Sequence, residues 1–352
     1  MFGDKKVSWH LECNDKKFIN KLDAIKEQLN SKQSLTFHAP KTWNTFDFTK
    51  YPSKSLEELC IQQAKHIRNN NEYVNLWYSG GCDSHYILQI FLDNNIKIDE
   101  LTMVKRGFKT ADFEIDNYAI PFAKSTDIKC TIRQPDVQYY EDYYVNNKPM
   151  LGTANEYHYH FGLNNHFENL DHCDTNGVAH LFGKDKPRLS FIDGKWYTYL
   201  MDVDVTHQPN QINFFCNDPE IYSAQCHLLK NKAELRLNQS QYNQVMDIEN
   251  LGFLNFAIER YKENNYPVKK GYPTPSGEWN NKDALAMKEA SPELVNAWKN
   301  KNKALINELG TQWFNNGDPA LGTLGVFSKF YCLTEKSTKT VDELFPNGFK
   351  SQ

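Results

Sequence analysis

Two hydroxyls, two adjacent glycines and one carboxylate fall within the six residues Ser79-Gly80-Gly81-Cys82-Asp83-Ser84. Adjacent glycines at a strand-to-helix turn let backbone N–H groups close on an anion, and the helix that follows adds the positive end of its dipole. Ser79 and Ser84 add hydroxyl donors suited to phosphate oxygens. Asp83 is placed to hold a Mg²⁺ that bridges such phosphates, because this cation takes few protein carboxylates and leaves its other positions to phosphate and water. The spacing therefore suits the cradling of a polyphosphate. A Ser-Gly-Gly turn can also be a tight connection and nothing more, so the elements on either side decide.

Those elements are present. Residues 73–78, Tyr-Val-Asn-Leu-Trp-Tyr, are short and rich in β-formers and read as a buried strand running into the turn. Ile87, Ile90 and Phe91 mark a helix that begins near Asp83. Upstream, Ser55-Leu56-Glu57-Glu58 is a capping box, after which Leu56, Leu59, Cys60, Ala64 and Ile67 recur at helical spacing. Downstream come a strand at 101–104, a helix with Ile115, Ala119, Phe122 and Ala123 on one face, and a strand at 128–132. This alternation predicts an α/β fold, a parallel sheet flanked by helices. A further strand at 178–182 delivers the charged turn Gly183-Lys184-Asp185-Lys186-Pro187-Arg188. Gly177 to Lys184 is not a second phosphate loop of the G-x-x-x-x-G-K-[ST] kind: its glycines stand one residue too far apart, and Asp185 occupies the Ser/Thr position.

Outside this unit the signals carry less chemistry. Residues 1–54 form an N-terminal segment without a legible role, containing a predicted helix near 18–29. Asp193-Gly194 is the turn of a hairpin joining 189–192 to 196–199, and Asp218-Pro219-Glu220 starts a helix. Gln225, His227 and Lys230 on that helix either face the site or form a polar surface stripe. Residues 241–352 read as a helical C-terminal lobe. His158, His160, His166, His172 and His180, with Cys173, lack the spacing of a metal motif and read as pocket or surface residues.

Composition narrows the class. The 352 residues carry 40 basic and 44 acidic side chains, a net charge of −4, so a nucleic-acid partner would need a local basic patch. No run approaches the roughly 18 to 20 apolar residues of a membrane span, and the N-terminus has no signal-peptide core, so a cytoplasmic protein without a membrane partner is expected. The eight cysteines include no C-x-x-C pair, which suits free thiols.

The string Ser79 to Ser84 matches in full the signature S-G-G-x-D-S of the N-type ATP pyrophosphatases, the PP-loop superfamily, and the chain resembles that family over residues 55–230. Within the family it looks most like the synthetase domain of asparagine synthetases. The helix leading into the loop, Glu114 ahead of Ala119 and Ala123, and a later strand ending in a glycine and charged residues follow that domain's order. The resemblance implies an adenine nucleotide alpha hydrolase-like domain over residues 55–240, with ATP and Mg²⁺ as its ligands. It implies cleavage to AMP and pyrophosphate after a substrate oxygen attacks the α-phosphorus.

Adenine would lie near Met103, Val104 and Lys105, and Ser79, Gly80, Gly81, Asp83, Ser84, Glu114 and Arg188 would bind nucleotide or its metal. Asp83, Lys184, Asp185 and Lys186 would be catalytic, the lysines neutralising the departing pyrophosphate. Position 2 is Phe rather than the nucleophilic cysteine of a glutaminase. The expectation is thus an AMP-forming amide ligase lacking its own glutaminase, with nitrogen from free ammonia, a substrate amine or a partner protein. The alternatives are a nucleobase or tRNA modification enzyme of the same superfamily and a nucleotide-binding module without turnover.

Overall fold

The structure is a computed structural model that describes residues 9–18, 21–105, 112, 115–134, 177–183, 187–201, 210–236 and 326–345, with single positions at 293, 296, 300, 303, 307 and 308. In chain order the elements begin with β1 (His10–Cys13), β2 (Lys16–Phe18), α1 (Lys21–Ser31), β3 (Thr36–His38), α2 (Lys41–Thr45) and α3 (Leu56–Asn70). They continue with β4 (Tyr73–Trp77), α4 (Cys82–Asp93), β5 (Glu100–Val104), a π-helical turn (Ile115–Ala119), α5 (Ile120–Lys124) and β6 (Lys129–Arg133). After these come β7 (Val178–Phe182), β8 (Arg188–Ile192), β9 (Lys195–Tyr199), β10 (Gln211–Asn213), α6 (Pro219–Arg236), β11 (Phe330–Cys332), β12 (Thr338–Lys339) and α7 (Val341–Leu344).

The central sheet has five strands in the order β10-β7-β4-β5-β6, all parallel. From β4 the chain steps outward through β5 to β6, then returns to place β7 on the other side of β4. The order therefore reverses between β4 and β7, the point at which open α/β sheets form a crevice beyond the carboxyl ends of their strands. On one face Val74, Leu76, Leu101, Met103, Ala179 and Leu181 share a core with Leu59, Ala64, Ile87 and Phe91 of α3 and α4. The capping box at Ser55 and Glu58 is formed in both directions and fixes where α3 begins. The opposite face carries a buried polar line. Thr102 Oγ1 donates to Asn75 Oδ1 at 3.0 Å, and Asn75 Nδ2 lies 3.3 Å from His180 Nδ1.

Two antiparallel sheets accompany the parallel one, β2-β1-β3 and β12-β11-β9-β8. The β8–β9 hairpin turns at Asp193 and Gly194, with φ of 49° and 80°, as a two-residue turn of right-handed twist requires. Asp218 Oδ1 accepts from the Glu220 amide at 2.7 Å and caps α6. The described residues of 9–48, which carried no legible role, have a structural one. Trp9, Phe37, Trp43 and Phe48 join Trp196, Tyr222 and Tyr331 in a single aromatic core. Tyr222 knits it further, accepting from the Arg188 amide at 2.9 Å and donating to the Tyr199 carbonyl at 2.7 Å.

Three local expectations change. The helix expected through Ile115 and Ala123 opens into a π turn before α5, because Pro121 has no N–H to give the α repeat and its ring crowds the preceding turn. β10, not foreseen, extends the sheet beyond β7. Within 241–352, the segment read as helical, β11 and β12 are strands, because Tyr331 and Cys332 pair with β9 and bury their side chains there. Among the described residues no helix is long and apolar enough to cross a membrane.

Candidate functional site

The Ser79 to Ser84 loop leaves the carboxyl end of β4 and enters α4 beside the end of β7, at the reversal of strand order. Its shape is set by its own residues. Gly80 takes φ +73°, a left-handed conformation that costs a residue with a Cβ about 1 kcal/mol or more. Gly81 amide donates to Ser79 Oγ, Ser79 amide donates to Ser84 Oγ, and Ser84 Oγ donates to the Gly81 carbonyl, each at 3.2 Å. The two hydroxyl oxygens also lie 3.2 Å apart. Ser84 is buried and its hydroxyl staples the loop, whereas Ser79 is exposed at the loop's rim. Gly81 is the N-cap of α4 and, having no side chain, makes no side-chain cap hydrogen bond. Asp83 stands half-buried on that first turn.

The neighbouring strand packs against the loop. Gly183 follows β7, and a Cβ built on it would lie 2.5 Å from the Ser84 amide nitrogen and 2.8 Å from Ser84 Cα. Only a glycine lets the end of β7 approach α4 so closely. Beneath, Trp77 and Phe182, the last residues of β4 and β7, stack with centroids 5.4 Å apart and planes 18° from parallel. Trp77 Nε1 donates to His180 Nδ1 at 3.3 Å, so that nitrogen is the bare acceptor of its imidazole. His180 is therefore neither a surface residue nor a pocket lining: it is 2 % exposed, in the middle of β7.

The loop is braced from behind by two residues that sequence reasoning passed over. Tyr78 hydroxyl lies 2.9 Å from His85 Nδ1, and Phe122 of α5 sets its ring edge-on against His85 at 4.6 Å. Burial pushes the His85 imidazole down to about 4, so it stays neutral at physiological pH. A histidine directly after the signature was the one sequence signal available for this brace.

The remaining predicted residues divide. Met103 is 1 % exposed and its side chain belongs to the core, so only its backbone faces the strand ends. Val104 is half-buried at the end of β5. Lys105 donates its amide to the Arg133 carbonyl at 2.7 Å and its Nζ meets Asp116 Oδ1, on the π turn, at 2.8 Å. That hydrogen bond to Asp116 holds the lysine above its ordinary value, as a fixed cation beside the β5 end. Arg188 opens β8 and is half-buried.

Glu114, Lys184, Asp185 and Lys186 lie outside the described residues, as do His158, His160, His166, His172 and Cys173. Gln225 and His227 do not face the loop. Gln225 Nε2 donates to the Phe215 carbonyl at 3.3 Å, His227 Nε2 meets the Phe48 carbonyl at 2.9 Å, and Lys230 pairs with Glu234 at 2.8 Å.

The carboxylates at the opposite, amino ends of the strands are structural. Asp99 accepts from Arg68, from Lys97 at 2.6 Å and from the Val74 amide at 2.8 Å. Glu100 accepts from Tyr73, Thr131 and Lys129. Burial works against both charges, but the donors outweigh it and hold both carboxyls below the ordinary range.

What the loop can do chemically follows from these parts. The N-terminus of α4, the exposed Ser79 hydroxyl and the half-buried Asp83 carboxylate lie within one six-residue loop, a donor set that fits a phosphate together with a hard divalent cation. No protein-family model matches the chain and no curated protein matches it, so the site is read from its own geometry.

Proposed function

We propose that this chain is an ATP pyrophosphatase of the PP-loop kind, with an adenine nucleotide alpha hydrolase-like domain over residues 55–240. It adenylates a carboxylate or carbonyl oxygen of a small substrate and passes the activated carbon to a nitrogen nucleophile. The observation that carries this reading is the position of Ser79 to Ser84 at the reversal of a five-stranded parallel sheet, with Gly183 seated against Ser84. A ligand-binding crevice is expected there on physical grounds alone.

In this reading the α4 N–H groups and Ser79 bind phosphate oxygens of ATP, and the stapled Ser84 keeps the loop from relaxing when charge develops. The substrate oxygen forms a bond to the α-phosphorus while the bond from that phosphorus to the bridging oxygen breaks, and pyrophosphate leaves with the bonding electrons. Asp83 would hold Mg²⁺, which supplies neutralisation of the phosphate charge. Lys184, Lys186 and Arg188 are assigned to the pyrophosphate side, Asp185 to substrate or metal, and the backbone of Met103, Val104 and Lys105, with Glu114, to the nucleotide. The nitrogen nucleophile then displaces AMP from the activated carbon. No covalent enzyme group is needed; positioning and fixed dipoles do the work.

Purified protein given ATP, Mg²⁺ and candidate carboxylates with ammonia is expected to release AMP and pyrophosphate in equal amounts. Release of ADP and inorganic phosphate would overturn the assignment.

A further inference from the structure

A second set of donors lies on the N-terminal sheet, in a part of the molecule that the phosphate loop does not use. β1 and β3 run antiparallel with His10 directly opposite His38, and Glu12 stands two residues further along β1. The period of two along a strand sends Leu11, Cys13 and Phe37 into the core and sets His10, Glu12 and His38 together on the other face. The imidazoles stack, with centroids 5.1 Å apart and planes 8° from parallel. His10 Nε2 is 3.5 Å and His38 Nε2 is 3.8 Å from one and the same oxygen, Glu12 Oε2. One donor atom from each of the three falls within 4.8 Å of the other two.

These separations are too long for good N–H···O bonds, which run about 2.7–3.2 Å. They approach the spacing of neighbouring ligand atoms around a tetrahedral ion: bonds of about 2.0–2.1 Å place such atoms roughly 3.3 Å apart. The donors also sit on paired strands rather than loops, so the backbone ladder fixes their register before any ligand arrives. We propose that His10, Glu12 and His38 bind a divalent transition-metal ion, zinc above all, with the fourth position left to water or an external ligand.

Two imidazoles and one carboxylate select against Mg²⁺ and Ca²⁺, which need all-oxygen shells. Lys17, opposite Glu12 on β2, and Lys329 raise the positive potential at the cluster. They make this a weaker site than a closed four-ligand one. A bound ion would clip β1 to β3 and so stiffen the sheet that supports the aromatic core.

The test uses the full chain stripped with a chelator. Titration with Zn²⁺ by calorimetry, and with Co²⁺ followed by its visible absorption, is expected to show a site that raises the melting temperature. In the volume-conserving E12Q, and separately in H38A, affinity at that site is expected to fall about tenfold or more. Far-UV circular dichroism of the metal-free variants is expected to match the parent. Because E12Q keeps the side-chain volume, it remains informative if H38A fails to fold. The proposal is overturned if the parent takes up neither ion, or if Zn²⁺ binds E12Q and H38A as tightly as the parent, which would assign the metal to other histidines or cysteines.

Discussion

Gly183 and Ser84 approach so closely that no side chain fits between them: a Cβ on Gly183 would sit 2.5 Å from the Ser84 amide nitrogen. The contact is backbone against backbone, so nothing flexible can give way. It locks the end of β7 to the first turn of α4, beside the loop proposed to hold phosphate. Gly183→Ala is therefore expected to destabilise the fold by about 1–3 kcal/mol through overpacking, read from the urea midpoint. Pyrophosphate release should fall further than the folded fraction does. A variant with parental stability and turnover would show that the two elements are free to separate.

Asp83 carries the sharpest expectation for chemistry. Asp83→Asn removes a full charge at nearly constant volume, from a half-exposed position that is no packing element. The urea midpoint should scarcely move, while pyrophosphate release falls about a hundredfold or more, the usual cost of losing electrostatic stabilisation at the reacting centre. Parental release at saturating Mg²⁺ would reduce Asp83 to a carboxylate that favours a helix N-terminus.

His85 makes stability depend on pH in a window of its own. Its imidazole is pushed down from an ordinary 6.5 to about 4, so between those values the unfolded chain binds a proton that the native state refuses. Stability contributed by the neutral ring is intact above about pH 6.5 and is lost as the pH falls towards 4. The slope for one such group is about 1.4 kcal/mol per pH unit. His38, His66 and His227, also lowered by burial, act in the same direction. Denaturation of His85→Gln across this range should show a shallower slope than the parent; an unchanged slope would mean that His85 is protonated in the native state.

Asp99 offers the complementary test, at the end of the sheet away from the loop. Asp99→Asn leaves Arg68 and Lys97 without their carboxylate and weakens the anchor of the Val74 amide. A loss of about 3 kcal/mol is expected, as for breaking a largely buried ion pair. Because the native carboxyl sits below the ordinary range, the parent's advantage over this variant should be present at neutral pH and vanish as acid titrates the group. Turnover per folded molecule should match the parent, measured by pyrophosphate release well below the melting temperature.

Local rules made much of the fold legible in the amino-acid sequence. The capping box at Ser55, the β-rich run into Ser79, the turn at Asp193-Gly194 and the cap at Asp218 each depend on residues a few positions apart, and each appears where its chemistry requires. The loop itself was legible for the same reason, since the hydrogen bonds among Ser79, Gly81 and Ser84 join residues at most five positions apart. What depends on pairing across the chain was not. Gly183 could be read as a turn residue, but its contact with Ser84 exists only because β7 returns to the far side of β4. His180 read as a pocket or surface residue until the sheet set it against Asn75 and Trp77. The aromatic residues of the N-terminal segment carry no periodicity that points to a partner, because their partners are Trp196, Tyr222 and Tyr331. Nor does strand spacing set His10 opposite His38; the register of β1 on β3 does, through backbone hydrogen bonds that any residue types could make.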